Sequence, residues 1–180
     1  MQHIRGYSAF QTGLAFLPVT LAIGLMSAGV AARLMARIGP RNLLMAGLAI
    51  VISALAILAD AGPATSYAPD LAIAYILLGA GAGSSFLPLL TITMADVPMA
   101  DAGLASGFSN VTMQVGGALG LAAIGSVSTS VASGTAGFQL AYVLAAICVA
   151  SSLALVALVL RGAAPAPVRH GAEVEAEQAA

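Results

Sequence analysis

Asp, Glu, Lys, Arg and His are absent from four stretches of the chain, residues 6–32, 42–59, 71–95 and 102–160, and the charges gather between and beyond them. Crossing about 30 Å of hydrocarbon takes roughly 20 predominantly apolar residues, because a helix advances about 1.5 Å per residue. Each of the first three stretches has room for one such helix. The fourth is too long for one and divides at Ser126–Gly137, a run rich in Ser, Thr and Gly. The pattern predicts an all-α, polytopic helical membrane protein of about five transmembrane helices, near 11–32, 43–59, 70–95, 102–127 and 138–160. Residues 1–10 are left as a short N-terminal segment. Residues 161–180 form an Ala/Pro-rich and then acidic tail, ending in Glu173, Glu175 and Glu177, with too little apolar surface to order itself.

Composition supports the same class. Of the 180 residues, 60% are hydrophobic and 7% charged, with a mean hydropathy of +1.01. A soluble domain carries about 25% charged residues, so this chain has too few to clothe a water-facing surface. The first apolar run exceeds the roughly 7–15 residues of a secretory signal, and further spans follow, so no cleaved leader is expected. Lysine is absent and the net charge is −1, which gives no footing for nucleic-acid binding. The single cysteine, Cys148, falls midway along the fifth span and reads as a small packing residue.

Arg33, Arg37 and Arg41 crowd what reads as a short loop after the first span, and Arg161 and Arg169 follow the last. An arginine at the membrane centre costs roughly 2.5–3.5 kcal/mol on the insertion scale, so these segments belong in water. The positive-inside rule puts them in the cytoplasm. Four crossings lie between them, which is self-consistent. The expected location is therefore the plasma membrane, with the N-terminus outside and the C-terminus cytoplasmic. The connections Asp60–Pro69 and Ser128–Gly137 are then external, and the turn Asp96–Asp101 is cytoplasmic.

The spans differ in what they can face. Between Phe138 and Leu160 the fifth has twelve Leu, Ile, Val or Phe residues, together contributing about −4 to −7 kcal/mol towards insertion. It is suited to lipid. The fourth has eight such residues and six glycines. On a 100° wheel, Gly103, Ser106, Gly107, Asn110, Gln114 and Gly117 share one side; Leu104, Phe108, Val111, Val115 and Leu119 lie opposite. Amides at i and i+4 in a span turn towards a bundle interior or a watery cavity. Ser106, Asn110 and Gln114 are thus candidates to line a polar cavity, with interhelical hydrogen bonding as the equal alternative for the two amides. Gly79 and Gly83, Gly103 and Gly107, and Gly116 and Gly120 are small-xxx-small pairs, read first as helix-packing glycines. Pro18 and Pro88 stand inside spans, where each frees a carbonyl and permits a bend.

The sequence lacks the usual chemistry of an enzyme. No acidic, basic or histidine residue lies mid-span, and His3 and His170, near the termini, have no partners at metal-ligand spacing. Gly83-Ser84-Ser85-Phe86 offers a membrane serine but no base to activate it. No cofactor and no catalytic residue are expected. Proton coupling usually requires a titratable group in the membrane, so any coupling residue would lie outside this chain.

Three segments carry a family resemblance. Gly6-Tyr7-Ser8-Ala9-Phe10-Gln11-Thr12-Gly13-Leu14-Ala15-Phe16-Leu17-Pro18 resembles the start of a C-domain helix in the fourteen-helix drug:proton antiporters of the major facilitator superfamily. Ala32-Arg33-Leu34-Met35-Ala36-Arg37-Ile38-Gly39-Pro40-Arg41 resembles the C-domain copy of that superfamily's cytoplasmic loop signature. Asp101 to Gly107, with Gln114 to Gly120, resembles the penultimate helix. The resemblance runs from Gly6 to about Arg161. Where the signature has Gly and Asp, this chain has Ala32 and Ala36, so the charge-relay role of that Asp does not carry over. Arg33, Arg37, Gly39 and Arg41 remain as the loop signature.

The resemblance implies a partial major-facilitator C-terminal bundle. It would be the last five helices of a proton-driven multidrug or small-molecule efflux permease, which moves an apolar or cationic substrate by alternating access. The expected partners are the lipid bilayer and, within the intact parent, that substrate. The alternative is a non-transporting membrane fragment or partner-binding subunit that docks onto a separate N-terminal half or another copy of itself.

Overall fold

The computed structural model describes residues 9–60, 71–131 and 135–160. The N-terminal segment, the connection 61–70 and the tail 161–180, including its expected disorder, lie outside the described residues. Five helical rods in the described residues are long and apolar enough to cross a membrane. The order is α1 (Ala9–Leu25), a wide turn at Met26–Val30, α2 (Ala31–Ile38), α3 (Pro40–Asp60), α4 (Ala72–Met94), a short 3-10 turn at Met99–Asp101, α5 (Ala102–Val131) and α6 (Thr135–Val159).

The first rod is longer than the charge pattern predicts and is broken in its middle. At Met26–Val30 the chain widens to π spacing, and Ala31 N–H reaches back to Met26 O. Gly29 takes φ 113°, ψ −5°, a backbone conformation that side chains with a Cβ resist. Gly29→Ala is therefore expected to cost about 1 kcal/mol. Gly24, in open space with ordinary helical geometry, is expected to accept alanine with no loss or a small gain. Thermal unfolding of the two variants in detergent compares them directly.

Arg33 and Arg37 are not in a loop. The rod continues through them to Ile38, and Gly39 alone separates α2 from α3. A single residue suffices because Gly39 adopts φ 81°, its N–H closes onto Met35 O at 2.9 Å, and its carbonyl accepts from Leu43 N–H at 3.2 Å. Pro40 then opens α3, where its missing N–H costs nothing and its fixed φ suits the first helical position.

The second difference lies in α5, which runs on through Ser128, Thr129 and Ser130. Their hydroxyls donate to carbonyls three or four residues back, Ser128 to Ile124 O at 2.7 Å and Thr129 to Gly125 O at 2.9 Å. This back-bonding lets a polar run that reads as a loop stay helical. Thirty residues make a rod of about 45 Å, longer than the hydrocarbon is thick.

The centre of the bundle is α4, which packs against α1 on one flank and α3 on the other; α6 covers the outer side of α3. Glycines make that close approach possible. A Cβ at Gly79 would strike Val19 O and come within 2.8 Å of Ala22 Cβ. At Gly83 it would meet Met26 Cβ at 2.8 Å. One at Gly81 would meet Gly47 O at 2.8 Å and Val51 N at 2.9 Å on α3. So Gly79 and Gly83 seat α1 while Gly81 seats α3. Ser84 and Ser85 both donate to Gly81 O, at 3.1 and 2.7 Å, which satisfies their hydroxyls inside the contact. Towards the Asp60 end, Leu58, Leu71, Ala74 and Tyr75 form the apolar core, with Val19, Leu78 and Tyr142 against it. The Phe16 and Tyr75 rings meet at 5.4 Å.

Candidate functional site on α5

The helix α5 is the least covered element. It leans on α6 and barely touches α4, and among its described side chains only Ser128 is buried. Its apolar side is open: Leu104 is 78% exposed and Phe108 72%. Its polar side is open too, with Ser106, Asn110 and Gln114 all exposed. These three follow one another at four-residue intervals, a stripe about 12 Å long on one face.

The chemistry of the stripe is that of neutral donors and acceptors. Ser106 donates to Gly103 O at 3.0 Å within its own helix. The carboxamides of Asn110 and Gln114 make no hydrogen bond among the described residues. An unpaired amide in an apolar environment costs roughly 1–3 kcal/mol, so hydrocarbon is the wrong surrounding for this face. Water, a polar solute or a facing polar helix is the right one. Gly103 and Gly107 share the amides' side of α5 while Gly116 and Gly120 lie elsewhere around it, and a Cβ at any of the four would meet nothing within 4 Å. Among the described residues no helix packs closely on these four glycines, unlike Gly79 and Gly83.

The four residues of the loop signature sit together at one end of the bundle. Arg33 and Arg37 are exposed on successive turns of α2, Gly39 forms the corner, and Arg41 is half-buried in the first turn of α3. Thr91 Oγ1 lies 3.7 Å from Met35 Sδ, which places α2 against the end of α4.

Sequence reasoning passed over Gly47. It is a lone glycine in an apolar run, with no small residue at four-residue spacing, so no pattern distinguishes it. Its importance comes from what crosses it: a Cβ there would strike Ser85 Oγ and lie 2.8 Å from Ser84 Oγ. A shallow groove between α3 and α6 is lined by Ile52, Ala56, Val143 and Ile147, with Asp60 at its rim. It offers apolar surface and no arrangement of reacting groups. Among the described residues, no three His, Cys, Asp or Glu side chains come together in a metal-binding arrangement.

Comparison with known proteins agrees with this architecture. The chain is 40% identical to the puromycin resistance protein pur8 of Streptomyces alboniger over 131 residues, covering 72% of this chain and 26% of that protein. It is 36% identical to the cephamycin export protein CmcT of Amycolatopsis lactamdurans, covering 75% of this chain and 28% of the relative. It is 32% identical to the drug efflux pump JefA of Mycobacterium tuberculosis (strain ATCC 25618 / H37Rv), covering 70% and 24%. The chain spans about a quarter of the length of the curated relatives it matches. The family model described as Major Facilitator Superfamily matches residues 1–179. By that match, and by helices built to cross a bilayer, the chain belongs to the Major Facilitator Superfamily, a family of membrane transporters rather than enzymes.

Proposed function

We propose that this chain forms the C-terminal part of a proton-driven exporter of small molecules, and that the Ser106–Asn110–Gln114 face of α5 lines its substrate path. The observation that carries this reading is the exposed stripe of unpaired amides on a membrane-length helix, a surface that requires a polar surrounding. Relatives that confer puromycin resistance or export cephamycin favour an antibiotic-like substrate. Exposed apolar residues beside the amides fit an apolar or cationic molecule of that kind. Gly79 and Gly83 act as packing glycines inside the bundle. Gly103, Gly107, Gly116 and Gly120 are free to receive a helix from the rest of the transporter. The arginines at the α2–α3 corner favour a cytoplasmic position for that end. The N-terminus is then outside and the tail inside, in the plasma membrane.

No acidic, basic or histidine residue stands mid-span, so the proton-coupling carboxylate belongs to the rest of the exporter. The test is accumulation of a fluorescent lipophilic cation in cells lacking their own exporters. A longer polypeptide that contains this chain is expected to expel the dye and to stop when a protonophore collapses the gradient. The 180-residue chain expressed alone is expected to leave accumulation unchanged. Export by the short chain alone would remove the half-site reading, and failure of the longer one would remove the efflux reading. The open face of α5 also supports a second reading, a subunit that docks on a separately encoded half. An immunoblot of native membranes against the acidic tail separates the two by the size of the band.

A further inference from the structure

The arginine end of the bundle collects positive charge that nothing in the described chain answers. Arg33, Arg37 and Arg41 fall within nine residues, and none of the three makes a hydrogen bond or ion pair among the described residues. Asp96 and Asp101 lie at the same end, on the turn after α4, exposed and joined to no arginine. Arg41 is the most constrained of the three. Its Nε is sealed from solvent without a partner, so the charge can be met only at the terminal nitrogens. It also occupies the first turn of α3, where the helix dipole is positive and no acidic residue offsets it. The backbone N–H groups of Arg41 and Asn42 precede the first intrahelical bond of α3 and add two more donors.

What surrounds these cations says which anion fits. Of the described membrane helices and their extensions, α2 is the one with strongly segregated faces. Leu34 and Ile38, one turn apart on α2, are 39% and 44% exposed. They form an apolar strip directly beside the strip of Arg33 and Arg37. A soluble anion has no use for the apolar strip. A phospholipid uses both, with its phosphate on the guanidinium groups and its acyl chains on the leucine and isoleucine.

We propose that the α2–α3 corner binds an anionic phospholipid, with the headgroup phosphate held by Arg33, Arg37 and Arg41 and the acyl chains lying over Leu34 and Ile38. The proposal does not depend on the transport reading; it requires only that the bundle sits in a bilayer.

The experiment is native mass spectrometry of the purified, delipidated 180-residue chain, offered phosphatidylglycerol or phosphatidylcholine with matched acyl chains. The wild-type chain is expected to retain phosphatidylglycerol with a preference of about tenfold or more. Arg33→Gln, Arg37→Gln and Arg41→Gln combined are expected to abolish that preference. Arg161→Gln with Arg169→Gln, which removes two arginines elsewhere, is expected to keep it. Equal retention of the two lipids by wild type, or loss of preference in the tail variant, would overturn the proposal. Thermal shift of the wild-type chain guards against a triple variant that does not fold. Phosphatidylglycerol is expected to raise the melting temperature where inorganic phosphate at equal concentration does not. An equal rise with inorganic phosphate would assign the site to a free anion and sink the lipid assignment.

Discussion

Gly81→Leu is expected to separate the two central helices of the bundle and to cost about 3 kcal/mol or more, the upper range for overpacking a core. The first atom of any side chain at this position meets obstacles that cannot step aside. A Cβ would lie 2.8 Å from Gly47 O and 2.9 Å from Val51 N, both backbone atoms of α3, and 2.7 Å from Val51 Cγ2. Relief requires α3 to withdraw from α4, and that withdrawal strips the contact in which Ser84 and Ser85 are housed. Gly47→Leu approaches the same contact from the other side and is expected to behave alike. Gly116→Leu is the control, because a Cβ there meets nothing within 4 Å. Size-exclusion profiles and melting curves of fluorescent fusions in mild detergent report the result. A Gly81→Leu protein that melts with wild type would mean that α3 and α4 do not cross as closely as described.

The second large effect concerns flux rather than folding. In the exporter proposed to contain this chain, Asn110→Leu with Gln114→Leu is expected to lower substrate export by about 10- to 100-fold, the scale of losing two hydrogen-bonding groups from a binding path. The amount of protein in the membrane is expected to stay unchanged. Neither carboxamide holds a partner among the described residues, so replacing them breaks no contact within this bundle. Drug efflux and immunoblot, measured on the same cells, separate the two possible roles. Amides that braced helices together would lower the protein level in step with the export. Amides that line a path would lower export alone.

The number and order of the membrane helices were legible because the distribution of charge is a direct statement about where water is. That same signal misled at the α2–α3 corner. Three arginines speak for a watery end, but charge carries no information on backbone shape, and Gly39 turns the chain in one residue without a loop. Ser128, Thr129 and Ser130 misled for a related reason. Hydroxyls read as loop-forming can return their hydrogen bonds to the preceding turn. The kink at Gly29 was not legible, since nothing distinguishes that glycine from Gly24 except its backbone angle. In the candidate site, the stripe of Ser106, Asn110 and Gln114 followed from helical periodicity. What periodicity cannot say is which faces find partners. The glycine pairs of α4 and α5 look alike in sequence, yet a Cβ at Gly79 meets α1 and one at Gly103 meets nothing.

The one-residue corner at Gly39 also has a mechanical meaning. Between Ile38 and Pro40 there is a single Cα step on either side of the glycine, which leaves no slack to absorb a displacement. Any swing of α2 is passed to the first turn of α3. That helix is itself clamped to α4 through Gly47 and Gly81. The compliant point lies one helix earlier, where the rod widens around Gly29. Force applied at the arginine end therefore finds a stiff elbow at Gly39 and a pliant one at the Gly29 turn, where the bend is taken up.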